Sequence, residues 1–174
     1  MTEKFKDHYR IPSARLQNWD YARFAAYFIT ICTAGREHYF GSIGNPNGEM
    51  ILSEFGAIVE TEWLKTLEIR PDMNLILGKY MVMPDHFHAI IIIGPNEYND
   101  SPINGTNSRN KFGPQYKNLA SIVRGFKSAI STYATTNNIQ FGWQKRFYDR
   151  IIRNDYEFLR ISNYIETNPE NWHG

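Results

Sequence analysis

Hydrophobic and polar positions repeat with two different periods along the 174-residue chain, and the switches between them mark the predicted elements. Residues 25–33, AAYFITICT, are apolar on both faces and rich in β-formers, the pattern of a central strand covered on both sides. Residues 34–50 hold Gly35, Gly41, Gly44, Pro46 and Gly48, so turns dominate there, with room for a short hairpin. Ser53 predicts an N-cap for a helix over about 54–68, with Phe55, Val59 and Trp63 at i, i+4 and i+8. Arg70-Pro71-Asp72 ends it, because a residue before proline avoids the α region. Residues 75–83 and 86–93 then read as two strands interrupted at Pro84-Asp85, proline having no N–H for a ladder bond.

Residues 95–116 lack any period, and their Asn, Pro, Gly and Ser predict a loop that is long for a compact domain. The clearest helix follows, over about 117–136, where Leu119, Ile122, Val123, Phe126, Ala129, Ile130 and Tyr133 keep the 3,4 spacing. Residues 143–153, WQKRFYDRIIR, read as a strand with basic residues among aromatics. A last helix starts at Asn154-Asp155 and runs to Asn168, where Pro169 stops it. The order β-α-β-β-α-β predicts an α+β ferredoxin-like antiparallel sheet with two helices on one face, plus an additional C-terminal helix carrying a tyrosine, Tyr164. We expect one domain over 1–174, with 1–21 as an N-terminal arm.

Composition sharpens this picture in three ways. Aromatic residues are 15% of the chain and hydrophobic residues 42%, which excludes global disorder. Cys32 is the one cysteine, so no internal disulfide forms, and MTEKFKDHYR lacks the apolar stretch of a signal peptide. With no apolar run of membrane-spanning length, the expectation is a cytoplasmic protein without a membrane partner. The net charge of +1 hides a split: residues 109–160 carry +7 and the rest −6. Arg124, Lys127, Lys145, Arg146 and Arg150 are therefore candidate contacts to a polyanion.

Candidate chemistry centres on HFH at 86–88. In a strand His86 and His88 project from one face, with Phe87, Ala89, Ile91 and Ile93 on the other. Two imidazoles so spaced can converge on one divalent metal. The same spacing also serves two core histidines hydrogen-bonded to backbone. Cys32, mid-strand and without any sign of activation, is a poor nucleophile.

Four stretches, ARLQNWDYARFAAYFITICTAGREHYFG, YMVMPDHFHAIIII, LASIVRGFKS and WQKRFYDRIIRNDYEFLRISNYIETNP, together resemble the single-tyrosine HUH transposases, most closely the REP-associated tyrosine transposase-like branch. The resemblance implies a metal-dependent endonuclease and strand transferase acting on single-stranded, hairpin-forming DNA, as monomer or homodimer. By the family's pattern His86 and His88 hold a divalent metal, Mg²⁺ or Mn²⁺, with Asn168 as a third ligand through its amide oxygen. Tyr164 is then the nucleophile, giving a 5′-phosphotyrosine and a free 3′-OH. Tyr156 and Tyr148 are its rivals, the first lacking a polar partner one turn on and the second lying in a strand. Asp85 departs from the family's pattern, where Asn is common. The alternative is a non-catalytic ferredoxin-like module that binds single-stranded nucleic acid by stacking and charge. It leaves the coincidence of His86, His88, Tyr164 and Asn168 without a reason.

Overall fold

The computed structural model describes residues 4–5, 8–9, 19–44, 48–99 and 116–172. In chain order the elements are β1 (Lys4–Phe5), β2 (His8–Tyr9), β3 (Ala25–Cys32), β4 (Gly41–Gly44), β5 (Glu49–Leu52), α1 (Glu54–Leu64), β6 (Leu75–Met83), β7 (His86–Ile93), α2 (Leu119–Thr136), β8 (Tyr148–Ile152) and α3 (Asp155–Glu166). The main sheet has the order β6-β7-β3-β8, with every neighbour antiparallel. This is the ferredoxin-like arrangement that the element order predicts. The strands β1-β2 and β4-β5 form separate two-stranded pieces. The expected arm (1–21) and long loop (95–116) fall mainly outside the described residues.

Alternation along the strands gives the sheet two apolar faces. On one, Tyr27, Ile29 and Ile31 of β3 and Phe87, Ala89, Ile91 and Ile93 of β7 form a core with α1 and α2. Trp63 and Phe126 each meet Phe87 at ring separations of 5.0 and 5.1 Å. Burying side chains of this size contributes about 1.5–3 kcal/mol each. On the other face, Phe28, Ile90 and Ile152 pack beneath Ile161 and Ile165 of α3.

Helix α3 is seated by its own sequence. Asn154 caps it by accepting from the Glu157 N–H. Glu157 binds Arg150 and the Arg153 N–H, tying the first turn to β8. At the other end Glu166 pairs with Lys79 of β6. Helix α2 opens on a reciprocal capping pair between Asn118 and Ser121.

Several elements are shorter than their patterns suggest, α3 among them: it ends at Glu166 rather than Asn168, which lies beyond the Thr167 C-cap. Helix α1 stops at Leu64 rather than near 68, where the Thr66 N–H bonds back three residues to Trp63 and tightens the turn. Helix α2 begins at Leu119, because Lys117 takes a positive φ of 49°. The strand expected over 143–153 is regular only from Tyr148. Trp143 forms an isolated bridge to Thr33, and its indole N–H donates to the Lys127 carbonyl, while Lys127 Nζ binds the Gln144 carbonyl. The Gln144 N–H still donates to the Cys32 carbonyl of β3 at 2.9 Å, and the regular ladder resumes at Tyr148.

The hairpin and α1 meet with no room to spare at Gly56. A Cβ there would lie 2.0 Å from the Phe40 carbonyl oxygen, itself fixed by the Ser53 N–H at 2.9 Å. Gly56→Ala should therefore cost about 1–3 kcal/mol through overpacking, read as a lower urea midpoint with an unchanged slope. An unchanged midpoint would mean that α1 is not held against Phe40.

Candidate active site

The α3-covered face of the sheet carries a cleft of about 530 Å³, whose lining includes Thr30 and Phe28 of β3, His86 and His88 of β7, Arg150 of β8, and Tyr164 of α3. Arg36, Tyr148, Arg160, Asn168 and Trp172 also reach its wall. Of the residues singled out in the sequence, the fold thus brings His86, His88, Tyr164, Asn168 and Arg150 to one place. Arg124 and Lys127 lie on α2, which packs on the opposite face, and Lys145 and Arg146 on the segment before β8; none of the four lines this cleft.

Strand β7 delivers the imidazoles. His88 sits opposite Thr30 and His86 opposite Cys32 in the β3 ladder, so both rings leave the face away from the α1–α2 core. Each is only 4% exposed, as is Asp85. The two Nε2 atoms face each other at 2.9 Å. The remaining ring nitrogens are held from behind: His86 Nδ1 by Asp85 Oδ1 at 2.5 Å, and His88 Nδ1 by Thr30 Oγ1 at 2.8 Å. Arg36 Nε closes on Asp85 Oδ2 at 2.7 Å, and its Nη1 donates to Cys32 Sγ at 2.9 Å.

Burial keeps both rings neutral. It pushes His88 down to about 3, with repulsion from His86 and Arg36 adding to the effect. His86 is also lowered, chiefly by burial, while its hydrogen bond to the Asp85 carboxylate partly offsets the shift. Neutral imidazole is the form that binds metal.

Helix α3 brings the tyrosine, and the turn that follows it brings the amide. The Tyr164 ring stands 5.4 Å from the His88 ring and 6.1 Å edge-on from Phe28, and the residue is 48% exposed, so its position is packed yet open to solvent. Asn168, four residues on, has a buried Oδ1 with no hydrogen-bond partner among the described residues. An orphaned buried acceptor costs about 1–3 kcal/mol unless something else satisfies it. Two facing imidazole nitrogens beside one orphaned oxygen fit a divalent cation. The nitrogens of two imidazoles bound at right angles about 2.1 Å from one ion would be about 3 Å apart, close to the separation seen. Among the described residues no cluster of three or more His, Cys, Asp or Glu is placed to hold a metal, so the amide oxygen is needed for a third protein ligand.

Two competing tyrosines are placed differently. Tyr148 lines the cleft from β8, edge-on to Phe28 at 6.3 Å. Tyr156 is 78% exposed and lies outside it. Thr30 and Arg36 were not singled out by the sequence. Thr30 is legible only once β3 is paired with β7, and Arg36 only once the turn after β3 is seen to fold back. Arg160 was readable in part, one helical turn before Tyr164.

No family model matches the chain. It is 32% identical over 177 residues to an uncharacterized protein of Haemophilus influenzae, covering 99% of this chain and 96% of that protein. Its fold matches that of a REP-associated tyrosine transposase solved bound to a REP hairpin, with a TM-score of 0.57 and 16% identity, over 91% of this chain and 74% of that one. Among the described residues no helix is long and apolar enough to cross a membrane. The chain therefore belongs to one family with the Haemophilus influenzae protein and has the fold of the REP-associated tyrosine transposases.

Proposed function

We infer that the protein is a metal-dependent endonuclease and strand transferase on single-stranded, hairpin-forming DNA, with Tyr164 as nucleophile. The observation that carries this reading is the meeting of a half-exposed tyrosine, two neutral imidazoles and an unpartnered amide oxygen in one cleft. The fold neighbour, a REP-associated tyrosine transposase bound to a REP hairpin, supports the substrate class.

In the reaction the Tyr164 oxygen attacks phosphorus in line with the leaving 3′-oxygen. A P–O(Tyr) bond forms, the P–O3′ bond breaks, the phenol gives up its proton, and the 3′-oxygen takes one up as a hydroxyl. The product is a 5′-phosphotyrosine, which an incoming 3′-OH reverses, so no nucleotide cofactor is consumed. His86, His88 and Asn168 would hold the cation, Mg²⁺ or Mn²⁺, which supplies positive charge against a phosphate oxygen. Arg36, Arg150 and Arg160 line the same wall and suit the charge that gathers on the equatorial oxygens. Packing of Tyr164 against Phe28, and of α3 through Ile161 and Ile165, limits where the phenol can point.

Tyr164→Phe should abolish covalent capture of end-labelled hairpin DNA in Mn²⁺ while leaving the unfolding free energy, read from urea melts, within about 0.5 kcal/mol of the parent. Tyr156→Phe and Tyr148→Phe should still capture it, and EDTA should stop all capture. His86→Ala and His88→Ala should each slow capture by orders of magnitude. Undiminished labelling of Tyr164→Phe would exclude this nucleophile, and binding without capture by the parent would favour the non-catalytic module.

The lowered imidazoles also set a pH dependence of stability. An unfolded histidine protonates near 6.5, whereas folded His88 resists until about 3. Its contribution is therefore whole above about 6.5 and is lost as pH falls toward about 3, because the unfolded chain binds a proton that the fold refuses. The urea midpoint of the parent should drop more steeply between pH 7 and 4 than that of His88→Gln. Parallel curves would show that His88 is not buried in its neutral form.

A further inference from the structure

Four short contacts run in a line through the site. Arg36 Nε meets Asp85 Oδ2 at 2.7 Å, Asp85 Oδ1 meets His86 Nδ1 at 2.5 Å, His86 Nε2 meets His88 Nε2 at 2.9 Å, and His88 Nδ1 meets Thr30 Oγ1 at 2.8 Å. Each link between His86 and its neighbours needs one proton, and the chemistry of the two ends decides where those protons sit. A carboxylate paired with a guanidinium only accepts, so His86 carries its proton on Nδ1 and presents a lone pair at Nε2. The facing His88 Nε2 must then be the donor, which leaves His88 Nδ1 bare and makes the Thr30 hydroxyl donate to it. Every member of the line is satisfied in this arrangement, without a charge on either ring.

The Asp85 end is built to stay fixed. Its backbone carbonyl accepts from the Thr33 N–H at 2.9 Å, and the Thr33 hydroxyl sits between that carbonyl and the Glu37 carbonyl, at 2.9 and 2.8 Å. Arg36 reaches it from a turn in which Gly35 and Arg36 both have positive φ, 65° and 60°. A non-glycine residue in that region is held there by its surroundings, and here the side chain it presents is the clamp on Asp85. The Thr30 end is different in kind, because a hydroxyl can either donate or accept by rotating.

We propose that Asp85 and Arg36 are positioning residues that lock His86 with its proton on Nδ1, and that Thr30 is the positioning residue that lets His88 move its proton from Nε2 to Nδ1 when a cation enters. The proposal rests on the metal-binding part of the reading above. A cation shared by the two Nε2 atoms needs a lone pair on each. His86 offers one already. His88 loses the Nε2 proton to solvent and gains one at Nδ1, so its net charge is unchanged, and Thr30 Oγ1 turns from donor to acceptor. Asymmetric outer partners of this kind leave neither ring with an orphaned nitrogen while keeping one ligand ready.

The test is ¹⁵N NMR of imidazole-labelled protein, first free of cation and then with Zn²⁺, a diamagnetic ion that imidazole holds well. The free protein should show His86 protonated at Nδ1 and His88 at Nε2, and Zn²⁺ should bring both to Nδ1–H. Asp85→Asn, nearly isosteric, should give His86 a mixture of tautomers and weaken Zn²⁺ binding by about 10–100-fold. Arg36→Met should give a smaller admixture. Thr30→Val should leave the free spectrum of His88 at Nε2–H and weaken Zn²⁺ binding tenfold or more, with Thr30→Ser restoring it. The proposal is overturned if free His86 carries its proton on Nε2, if the His88 tautomer is the same with and without Zn²⁺, or if Thr30→Val binds Zn²⁺ as the parent does. These spectra require neither DNA nor cleavage. A parent that shows the tautomers yet captures no DNA would remove the nuclease reading alone, and one that captures DNA with other tautomers would remove this proposal alone.

Discussion

Thr30 lies opposite His88 and Cys32 opposite His86 because β3 and β7 pair antiparallel through eight consecutive positions without a bulge. That register assigns every side chain of β7 to a face. Phe87, Ala89, Ile91 and Ile93 go to the core with α1 and α2, and the two imidazoles go to the cleft under α3. A slip of one residue would exchange the two sets, burying both histidines against Trp63 and Phe126 and turning Phe87 into the cleft. The large apolar surface committed on the helix side thus enforces the position of the polar groups on the other, and the geometry of the site is a consequence of core packing.

The opposite face is stabilised more lightly. Five buried residues, Phe28, Ile90, Ile152, Ile161 and Ile165, form its apolar centre. Polar links at the two ends of α3 supplement it: Glu157, itself buried, with Arg150, and the exposed pair of Glu166 with Lys79, which contributes only about a few tenths of a kcal/mol. Glu157 is held well below the usual carboxylate range, first by the Arg153 N–H and then by Arg150, so the first of these links persists at neutral pH. Helix α3, which carries the tyrosine, thus rests on a smaller apolar cluster than α1 and α2. The rings beneath it are kept uncharged by burial and oriented by their outer partners.

Most of this architecture was legible in the sequence because its signals are periodic. The alternation of HFHAIIII gave the two faces of β7, and the 3,4 stripe from Leu119 to Tyr133 gave α2 to within two residues. Tyr164 and Asn168 share a helix face by their spacing, which the cleft preserves. What escaped reading depends on contacts between distant segments. Thr30 and Arg36 acquire roles only when β3 pairs with β7 and the turn at Gly35 folds back onto Asp85. The basic residues of 109–160 are near one another in sequence, yet the sheet separates Arg124 and Lys127 from Arg150 by a whole layer. Charge counted along the chain says nothing of the layer on which it will lie.

That Tyr164 and the paired histidines form one metal-centred site is the central claim, and paramagnetic broadening by Mn²⁺ tests it most directly. In a protein with labelled tyrosine rings, substoichiometric Mn²⁺ should broaden Tyr164 much more strongly than Tyr156, which lies outside the cleft, with Tyr148 on the cleft wall broadened as well. The effect should vanish in His88→Ala and weaken in Asn168→Leu. Equal broadening of Tyr164 and Tyr156, or selective broadening that survives His88→Ala, would contradict the site described here.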